Sequence, residues 1–125
     1  MFSHIMVGSD DLEASRAFYD AILGVIGAGP SFKEGDRYFW QHNGALFAVS
    51  KPINGEAACH ANGGTIGFAC ASPEMVNAWH AAGLAHGGTA CEDPPGPRAF
   101  GAGQLYLAYL RDPAGNKLCA LHRLG

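Results

Sequence analysis

The chain has 125 residues and a mass of 13.0 kDa, which fits one domain, because a single core usually serves ~100–200 residues. Hydrophobic residues make up 48% and charged residues 15%, so a disordered or fibrous chain is excluded. The formal net charge of −3 provides no basic surface for a phosphate backbone, and nucleic acid is not expected as a partner.

The N-terminal segment and the cysteines indicate a cytoplasmic location. No signal-like segment opens the chain, and apolar runs such as Ala45–Val49 are far short of the ~20 residues that cross a bilayer. A membrane is therefore not expected as a partner. No C-x-x-C pair is present, which predicts free thiols packed as small apolar groups in a reducing compartment, without structural zinc. The thiols are Cys59, Cys70, Cys91 and Cys119.

The chain opens with a predicted strand and helix. Phe2–Val7 is a short apolar run with β-branched residues, which predicts a strand. Asp10 is the expected N-cap of the next helix, since Glu13 three residues on completes a capping box. Apolar residues then recur at helical spacing, and Gly24 is expected to end the helix.

A hairpin and a linker follow. The predicted strands Tyr38–Gln41 and Ala45–Ser50 flank His42-Asn43-Gly44, and Asn-Gly is a strong signal for a hairpin turn. Pro52–Gly64 contains two further Asn-Gly pairs and is interpreted as a linker.

The second half repeats the order of the first. A strand is predicted at Thr65–Cys70, and Ser72 followed by Pro73 is typical of a helix start. Gly87-Gly88 is expected to end this helix, and Trp79, like Phe18 in the first helix, is assigned to the helix–sheet core. The remaining prediction is a loop at Glu92–Gly103, a strand at Leu105–Leu110, a turn at Asp112–Asn116 and a final strand at Lys117–Leu124.

The repeat is visible as an internal alignment. An offset of 61 residues places Thr65 on His4 and Trp79 on Phe18, while the two hairpin turns correspond at an offset of 71. Each copy is too small to cover its own sheet, so both are expected to pack into one body. Residues 1–125 are interpreted as a single domain, with module one at about 1–58 and module two at about 64–125.

Three segments carry a resemblance to a known family. They are His4–Val7, the helix from Asp11 through Phe18-Tyr19 to Leu23-Gly24, and the turn Leu110–Lys117 with its Arg-Asp-Pro-x-Gly-Asn pattern. Together with the repeat they resemble the vicinal oxygen chelate superfamily, which contains lactoylglutathione lyases, extradiol dioxygenases and bleomycin- or fosfomycin-resistance proteins. The resemblance implies an α+β fold of two tandem β-α-β-β-β modules, whose curved mixed sheet encloses a cleft. It also implies a homodimer.

In metal-using members of that family, four strand positions point into the cleft. Carried over, they fall on His4, on Phe47 or Ala48 depending on the loop alignment, on Thr65 and on Cys119. One imidazole, one thiol and one hydroxyl are a poor set for a divalent ion, which predicts that the standard metal site is absent. A bound Zn, Ni or Fe with ligands outside this alignment is the alternative.

The candidate catalytic residues are His4, as an acid or base, and Cys119. Three interpretations of Cys119 remain open: a packed core thiol, a reactive thiolate beside a protonated His4, and a ligand for a soft metal. The candidate substrate-binding residues are Thr65, Phe47, Arg98 and Tyr106. Arg98 lies in a Pro- and Gly-rich loop and could hold a carboxylate or phosphate, or else pair with Glu92 or Asp93 at the surface.

Three functional hypotheses follow. The first is a glyoxalase-like enzyme, related to lactoylglutathione lyases or dioxygenases, that acts on a small oxygenated organic substrate with a degenerate metal site. The second is a non-catalytic small-molecule binding or drug-sequestering protein of the bleomycin-resistance type. The third is a true divalent-metal enzyme.

Overall fold

Two mixed β-sheets, each covered by one helix, form the fold in the computed structural model, which describes residues 1–125. In chain order the elements are β1 (His4–Gly8), α1 (Leu12–Val25), β2 (Phe32–Glu34), β3 (Arg37–His42), β4 (Ala45–Ser50), β5 (Ile66–Ala69), α2 (Pro73–Ala85), β6 (Thr89–Ala90), β7 (Gly96–Phe100), β8 (Gly103–Arg111) and β9 (Lys117–Arg123). Neither helix has the length and apolar character that a membrane crossing would require.

The two sheets share one plan. Sheet 1 has the strand order β1-β4-β3-β2, and sheet 2 has the order β5-β9-β8-β6, with β7 also paired to β8. The first strand of each half is parallel to its neighbour, β1 to β4 and β5 to β9, while the other pairs are antiparallel. The predicted α+β class with two β-α-β-β-β modules is confirmed. We call residues 4–50 module 1 and residues 66–123 module 2.

The start of α1 differs from the prediction by one residue. Asp11, not Asp10, is the N-cap, and its carboxylate accepts a hydrogen bond from the Ala14 N–H at 3.1 Å. The Asp10 carboxylate instead accepts from the Ala58 N–H at 2.8 Å and ties the linker to module 1. Either aspartate fits the cap by sequence, and this long-range bond to the linker decides between them.

The start of α2 is as predicted, and its middle crosses α1 closely. The Ser72 hydroxyl caps the helix by accepting from the Met75 N–H at 3.1 Å, with a proline in the first turn. A Cβ atom on Gly83 would run into Leu110 of β8 and would lie 3.3 Å from Ile22 and from Phe18 of α1. A residue without a side chain is therefore what lets the two helices and sheet 2 meet at this point.

One hairpin turn is confirmed and one loop prediction is wrong. Asn43 and Gly44 both have positive φ, at 50° and 80°, as the turn between β3 and β4 requires. Within the predicted loop Glu92–Gly103, residues 96–100 form β7, which pairs with β8 through a tight turn at Gly101 with φ of 59°. Pro97 concealed this strand in the sequence, but proline is tolerated on an edge strand, and β7 pairs on one side only.

The helix-covered sides of the two sheets face each other. They share one core of 16 buried residues, in which the Phe47 and Phe68 rings lie 5.5 Å apart across the modules. The Tyr19 hydroxyl of α1 donates to the Asp112 carboxylate in the turn between β8 and β9, at 2.5 Å. We call the opposite sides outer face 1, of sheet 1, and outer face 2, of sheet 2. Within the chain, neither outer face packs against the other.

Candidate functional site

The strand register decides which residues share each outer face. On the helix sides, Ile5 of β1 lies opposite Phe47 of β4, and Ile66 of β5 lies opposite Leu118 of β9. One residue further along each strand, on the outer faces, Met6 is opposite Ala48 and Gly67 is opposite Cys119. Ala48 is therefore the module 1 counterpart of Cys119 on an outer face. The side chain of Phe47 points to the helix side, where it is buried against Tyr19 and Trp40.

Cys119 lies on outer face 2 beside a tyrosine. It is opposite Tyr109 of β8 and forms a small buried cluster with Leu105 and Leu107. Burial raises the pKa of the Cys119 thiol, and contact with the Tyr109 hydroxyl opposes this in part. Burial, followed by the nearby Cys119 and Glu92, raises the pKa of Tyr109 as well. Both groups are therefore protonated at neutral pH and act as hydrogen-bond donors, not as a thiolate and a phenolate.

Two cations flank this pair. The Lys117 ammonium lies 5.1 Å from the centre of the Tyr109 ring and forms an ion pair with Glu92. The Arg98 guanidinium is held by its own loop, since it donates to the backbone oxygens of Asp93, Pro94 and Gly96 at 2.9–3.1 Å. Its charge still reaches the Cys119 thiol and favours the ionised form. Because Glu92 offsets the Lys117 charge, Arg98 is the cation on outer face 2 that best suits an oxygen that becomes negative during a reaction.

His4 and Cys119 do not meet within one chain. His4 is exposed at the start of β1, where its Nδ1 lies 2.7 Å from the Ser3 hydroxyl. By alternation along β1 it shares outer face 1 with Met6, and at the end of the sheet it also lines, with Phe47, an apolar cavity of about 360 Å³ on the helix side. No hydrogen bond connects it to Cys119, and Cys119 does not line this cavity.

The other two predicted site residues also lie apart from Cys119. Thr65 is exposed just before β5 and lines a groove beside the free edge of β1. Tyr106 alternates with Tyr109 along β8 and points to the helix side, where its hydroxyl donates to the Asn77 side chain at 2.9 Å. Of the predicted residues, Arg98 thus lies near Cys119, and Thr65 shares its groove with Lys117.

Sequence reasoning missed Tyr109 and Lys117 as neighbours of Cys119. Alternation along β8 shows that only one of Tyr106 and Tyr109 can share a face with Cys119, but not which one. The register between β8 and β9 answers this, and it is set by the turn at Asp112–Asn116, whose length the sequence does give. Counting outward from that turn places Tyr109 opposite Cys119.

The side chains present do not fit the divalent metal that the fold family implies. The structure contains no group of three or more His, Cys, Asp or Glu residues arranged to hold an ion. The neighbours of Cys119 on outer face 2 are a phenol and three leucines, and His4 of the same chain does not reach it. Phenol and hydrocarbon do not replace the imidazole and carboxylate ligands that such ions need.

Outer face 1 is apolar and open. A row across all four strands of sheet 1 consists of Met6, Ala48, Phe39 and Phe32. The Phe32 and Phe39 rings are stacked with centres 5.4 Å apart, and 42% of Met6 and 48% of Phe32 remain exposed. Ala48 within this row is buried, but its exposed ends make an apolar surface of a kind typical of one that meets a partner.

Comparison with known proteins agrees with this architecture. The Glyoxalase/Bleomycin resistance protein/Dioxygenase superfamily model matches residues 1–120. A glyoxalase/bleomycin resistance protein from Albidiferax ferrireducens T118 is 58% identical, with a TM-score of 0.95 and 98% of each chain covered. The chain therefore belongs to the glyoxalase/bleomycin resistance protein/dioxygenase superfamily.

More distant solved structures share the fold. A glyoxalase-related enzyme from Fulvimarina pelagi is 23% identical, with a TM-score of 0.73 over 97% of this chain and 86% of the other. A lactoylglutathione lyase from Agrobacterium tumefaciens is 19% identical, with a TM-score of 0.68 over 97% and 92%. Among curated proteins, no significant match was found.

Proposed function

We propose that this protein is a glyoxalase-like enzyme that acts on a small oxygenated organic substrate at outer face 2, without a divalent metal. The observation that carries the proposal is the pair of protonated donors, Cys119 and Tyr109, set among leucines and flanked by Arg98 and Lys117. Donors aimed at a developing negative charge in an apolar setting can take over the role of a Lewis acid.

The proposed reaction is a proton transfer next to a carbonyl group. The substrate carbonyl oxygen accepts hydrogen bonds from the Tyr109 hydroxyl and the Cys119 thiol. An imidazole removes a proton from the adjacent carbon, and the electron pair of the broken C–H bond moves to that oxygen as an enolate. If that carbon carries a hydroxyl group, the hydroxyl proton passes to the enolate oxygen, its C–O bond becomes the new carbonyl, and the imidazolium returns its proton to the former carbonyl carbon. Without such a hydroxyl, the imidazolium returns the proton to the other side of the same carbon. Either route is an isomerisation. Arg98 and Lys117 stabilise the enolate charge.

In this proposal the imidazole is His4 of a second copy. Within one chain the helix sides of both modules are packed together, so neither outer face can be closed by its own chain. Outer face 1 of one copy, with its apolar row, covers outer face 2 of its partner. The proposed enzyme is accordingly a homodimer with two composite sites, each built from His4 of one copy and Cys119 and Tyr109 of the other.

Mixing two inactive variants tests the composite site. His4→Ala and Tyr109→Phe each leave every homodimer without one essential group. After dissociation and reassociation in equal amounts, half of the dimers carry one intact site of two, so about a quarter of wild-type activity should return. Activity is measured in D2O as deuterium uptake by the hemithioacetal of methylglyoxal and glutathione and by simple 2-hydroxyketones. No recovery in the mixture, with active wild-type protein, contradicts the shared site.

Metal content is a separate test of the reaction class. Protein purified without a histidine tag is expected to contain far less than one Zn, Ni or Fe per chain, and its exchange activity should survive a chelator. A stoichiometric ion, together with activity that a chelator removes, would establish the true metal enzyme instead.

The second candidate function is binding without catalysis, as in drug sequestration. It is favoured by one observation: neither Cys119 nor Tyr109 is ionised at neutral pH, so outer face 2 has donors but no base of its own. A thermal-shift screen with aromatic drugs and glutathione conjugates, followed by product analysis, separates the two functions. A stabilising compound recovered unchanged, with no deuterium uptake, supports binding alone.

We also propose a cytoplasmic location. All four cysteines are free in the structure, and Cys59 is exposed, contrary to the expectation that all would be packed. An exposed unpaired thiol is typical of a reducing compartment.

A further inference from the structure

We propose a second small-molecule site in the apolar cavity of about 360 Å³ on the helix side of sheet 1, and we call this cavity the α1 pocket. It would take a planar aromatic molecule with one oxygen-bearing polar group. The α1 pocket lies between the end of α1, sheet 1 and β5, and its volume is within the range of roughly 300–1,000 Å³ usual for ligand sites. The α1 pocket shares His4 with the proposed enzyme, but the inference stands on the cavity itself, because Cys119 and Tyr109 do not line it.

The walls of the α1 pocket are aromatic and aliphatic. The Trp40 and Phe47 rings have centres 6.1 Å apart, and Phe68 of module 2 faces Phe47 at 5.5 Å. Leu23 and Ile26, at the end of α1, complete the apolar lining. Rings at these separations leave edges and faces free, and another flat ring can make favourable contacts with them.

The polar groups of the lining lie at one end of sheet 1. They are His4 at the start of β1 and His42 and Asn43 at the turn after β3. The Nδ1 atom of His4 is hydrogen-bonded to Ser3, and the Nε2 atom of His42 is hydrogen-bonded to Asn43 at 3.2 Å. Each imidazole therefore retains one ring nitrogen without a partner in the chain. A few polar groups in an otherwise apolar pocket are what orient a ligand, and imidazole N–H groups select an oxygen.

The α1 pocket lies where the two modules meet. Both helices end alike, at Gly27 with φ of 101° after α1 and at Gly87 with φ of 96° after α2. The space over Trp40 and Phe47 is nevertheless open, and Ile66 and Phe68 of β5 line it from module 2. Both modules therefore contribute to the wall of this cavity.

The test uses 1-anilinonaphthalene-8-sulfonate, a planar aromatic probe with one anionic oxygen group, in a Trp79→Phe background in which Trp40 is the single tryptophan. Binding in the α1 pocket is expected to quench or shift Trp40 emission and to raise probe fluorescence with the same saturation curve. Ala45→Phe places a ring at the exposed mouth of the pocket and should weaken probe binding at least about tenfold, which corresponds to ~1.4 kcal/mol. Ala81→Phe, an exposed position on α2, is the matched control and should leave the affinity unchanged.

Two further variants keep the test decisive. If Ala45→Phe does not fold, Ala28→Leu fills the pocket from the other side. His42→Leu should weaken the sulfonate probe but not the uncharged N-phenyl-1-naphthylamine. Probe affinity that is equal in wild type and a folded filled variant overturns the proposal, as does fluorescence that rises without any change at Trp40. Tyr109→Phe, which lacks the proposed catalytic donor, should bind the probe as tightly as wild type, so failure of this site and failure of the proposed enzyme are distinguishable.

Discussion

The two modules share a strand order but differ in what they bury and what they present. Module 2 buries Val76 and Trp79 of α2 completely and places a thiol, a phenol and two cations on its outer face. Module 1 supplies most of the α1 pocket on its helix side and presents an apolar row of one methionine, one alanine and two phenylalanines on outer face 1. In the proposed enzyme the repeated unit therefore supplies the hydrogen-bond donors from one half and the base and covering surface from the other, with no change of fold.

The hairpin turns at the ends of the two modules differ in the same way. The turn after β3 has an exposed Asn43 at its tip, whereas the turn after β8 contains the buried Asp112. The Asp112 carboxylate accepts from the Tyr19 hydroxyl, the Asn116 side chain and two backbone N–H groups, at 2.5–2.9 Å. Only the second turn is connected to both modules.

The largest effect is expected at this carboxylate. Asp112→Ala removes the acceptor for four donors and leaves a buried phenol unpaired, so the free energy of unfolding should fall by about 3–5 kcal/mol. Asn43→Ala in the other turn should cost only about 1–2 kcal/mol, because it loses an exposed hydrogen bond and puts alanine at positive φ. Urea unfolding of both variants measures the difference. Equal losses would mean that Asp112 does not hold the modules together.

A smaller effect, of opposite sign in the two helices, is expected for glycine replacement. Gly83→Ala pushes a methyl group into Leu110 and α1 and should destabilise the protein by about 1–3 kcal/mol. Gly24→Ala has open space around its Cβ and should stabilise by about 0.5–1 kcal/mol through helix propensity. Thermal unfolding at one protein concentration reports both. Stabilisation by Gly83→Ala would show that the helix crossing can relax.

The smallest effect concerns thiol reactivity with pH. Burial raises the pKa of Cys70 to about 11 and that of Cys119 above its usual range. Both thiols should therefore react slowly with iodoacetamide at pH 8, while the exposed Cys59 reacts fast. Tyr109→Phe should slow Cys119 a little further, since contact with that hydroxyl lowers the thiol pKa. Mass spectrometry of tryptic peptides gives each rate, and fast labelling of Cys119 at neutral pH would contradict the protonated donor.

The same pKa shifts determine whether the free energy of unfolding rises or falls at alkaline pH. In the unfolded chain these thiols ionise at their ordinary pKa, whereas the folded protein holds their protons to higher pH. Above the ordinary thiol pKa the unfolded state binds fewer protons, so the free energy of unfolding falls as pH rises toward 11. The buried Tyr19, whose pKa is raised well above 10.0, acts in the same direction at still higher pH.

Much of the fold could be predicted because local signals coincide with it. Ser72-Pro73 defines a helix start, Asn43-Gly44 a hairpin, and the internal repeat indicates two equal modules. The strand β7 was missed because Pro97 argues against a strand unless its edge position is known. The choice between Asp10 and Asp11 as N-cap depends on Ala58, 48 residues away in the chain.

The site was less predictable because it depends on register and on the packing of the modules. Alignment to the family left Phe47 and Ala48 as alternatives, and the pairing of β1 with β4 assigns Ala48 to the outer face. That His4 and Cys119 lie apart in one chain follows from the helix sides packing together, for which no short motif exists. Thiol and phenol protonation depends on burial, which composition does not show.

The bonds between the modules also determine how the chain would tolerate a break. Tyr19 of α1 satisfies Asp112, and the Asn116 side chain donates to the Gly8 backbone oxygen at 3.1 Å, so each half completes buried polar groups of the other. Half of the chain expressed alone would leave such groups without partners, in addition to exposing its core. Proteolytic cleavage in the exposed segment between β4 and β5 should instead yield two fragments that stay associated, and new termini placed there would suit a circular permutant.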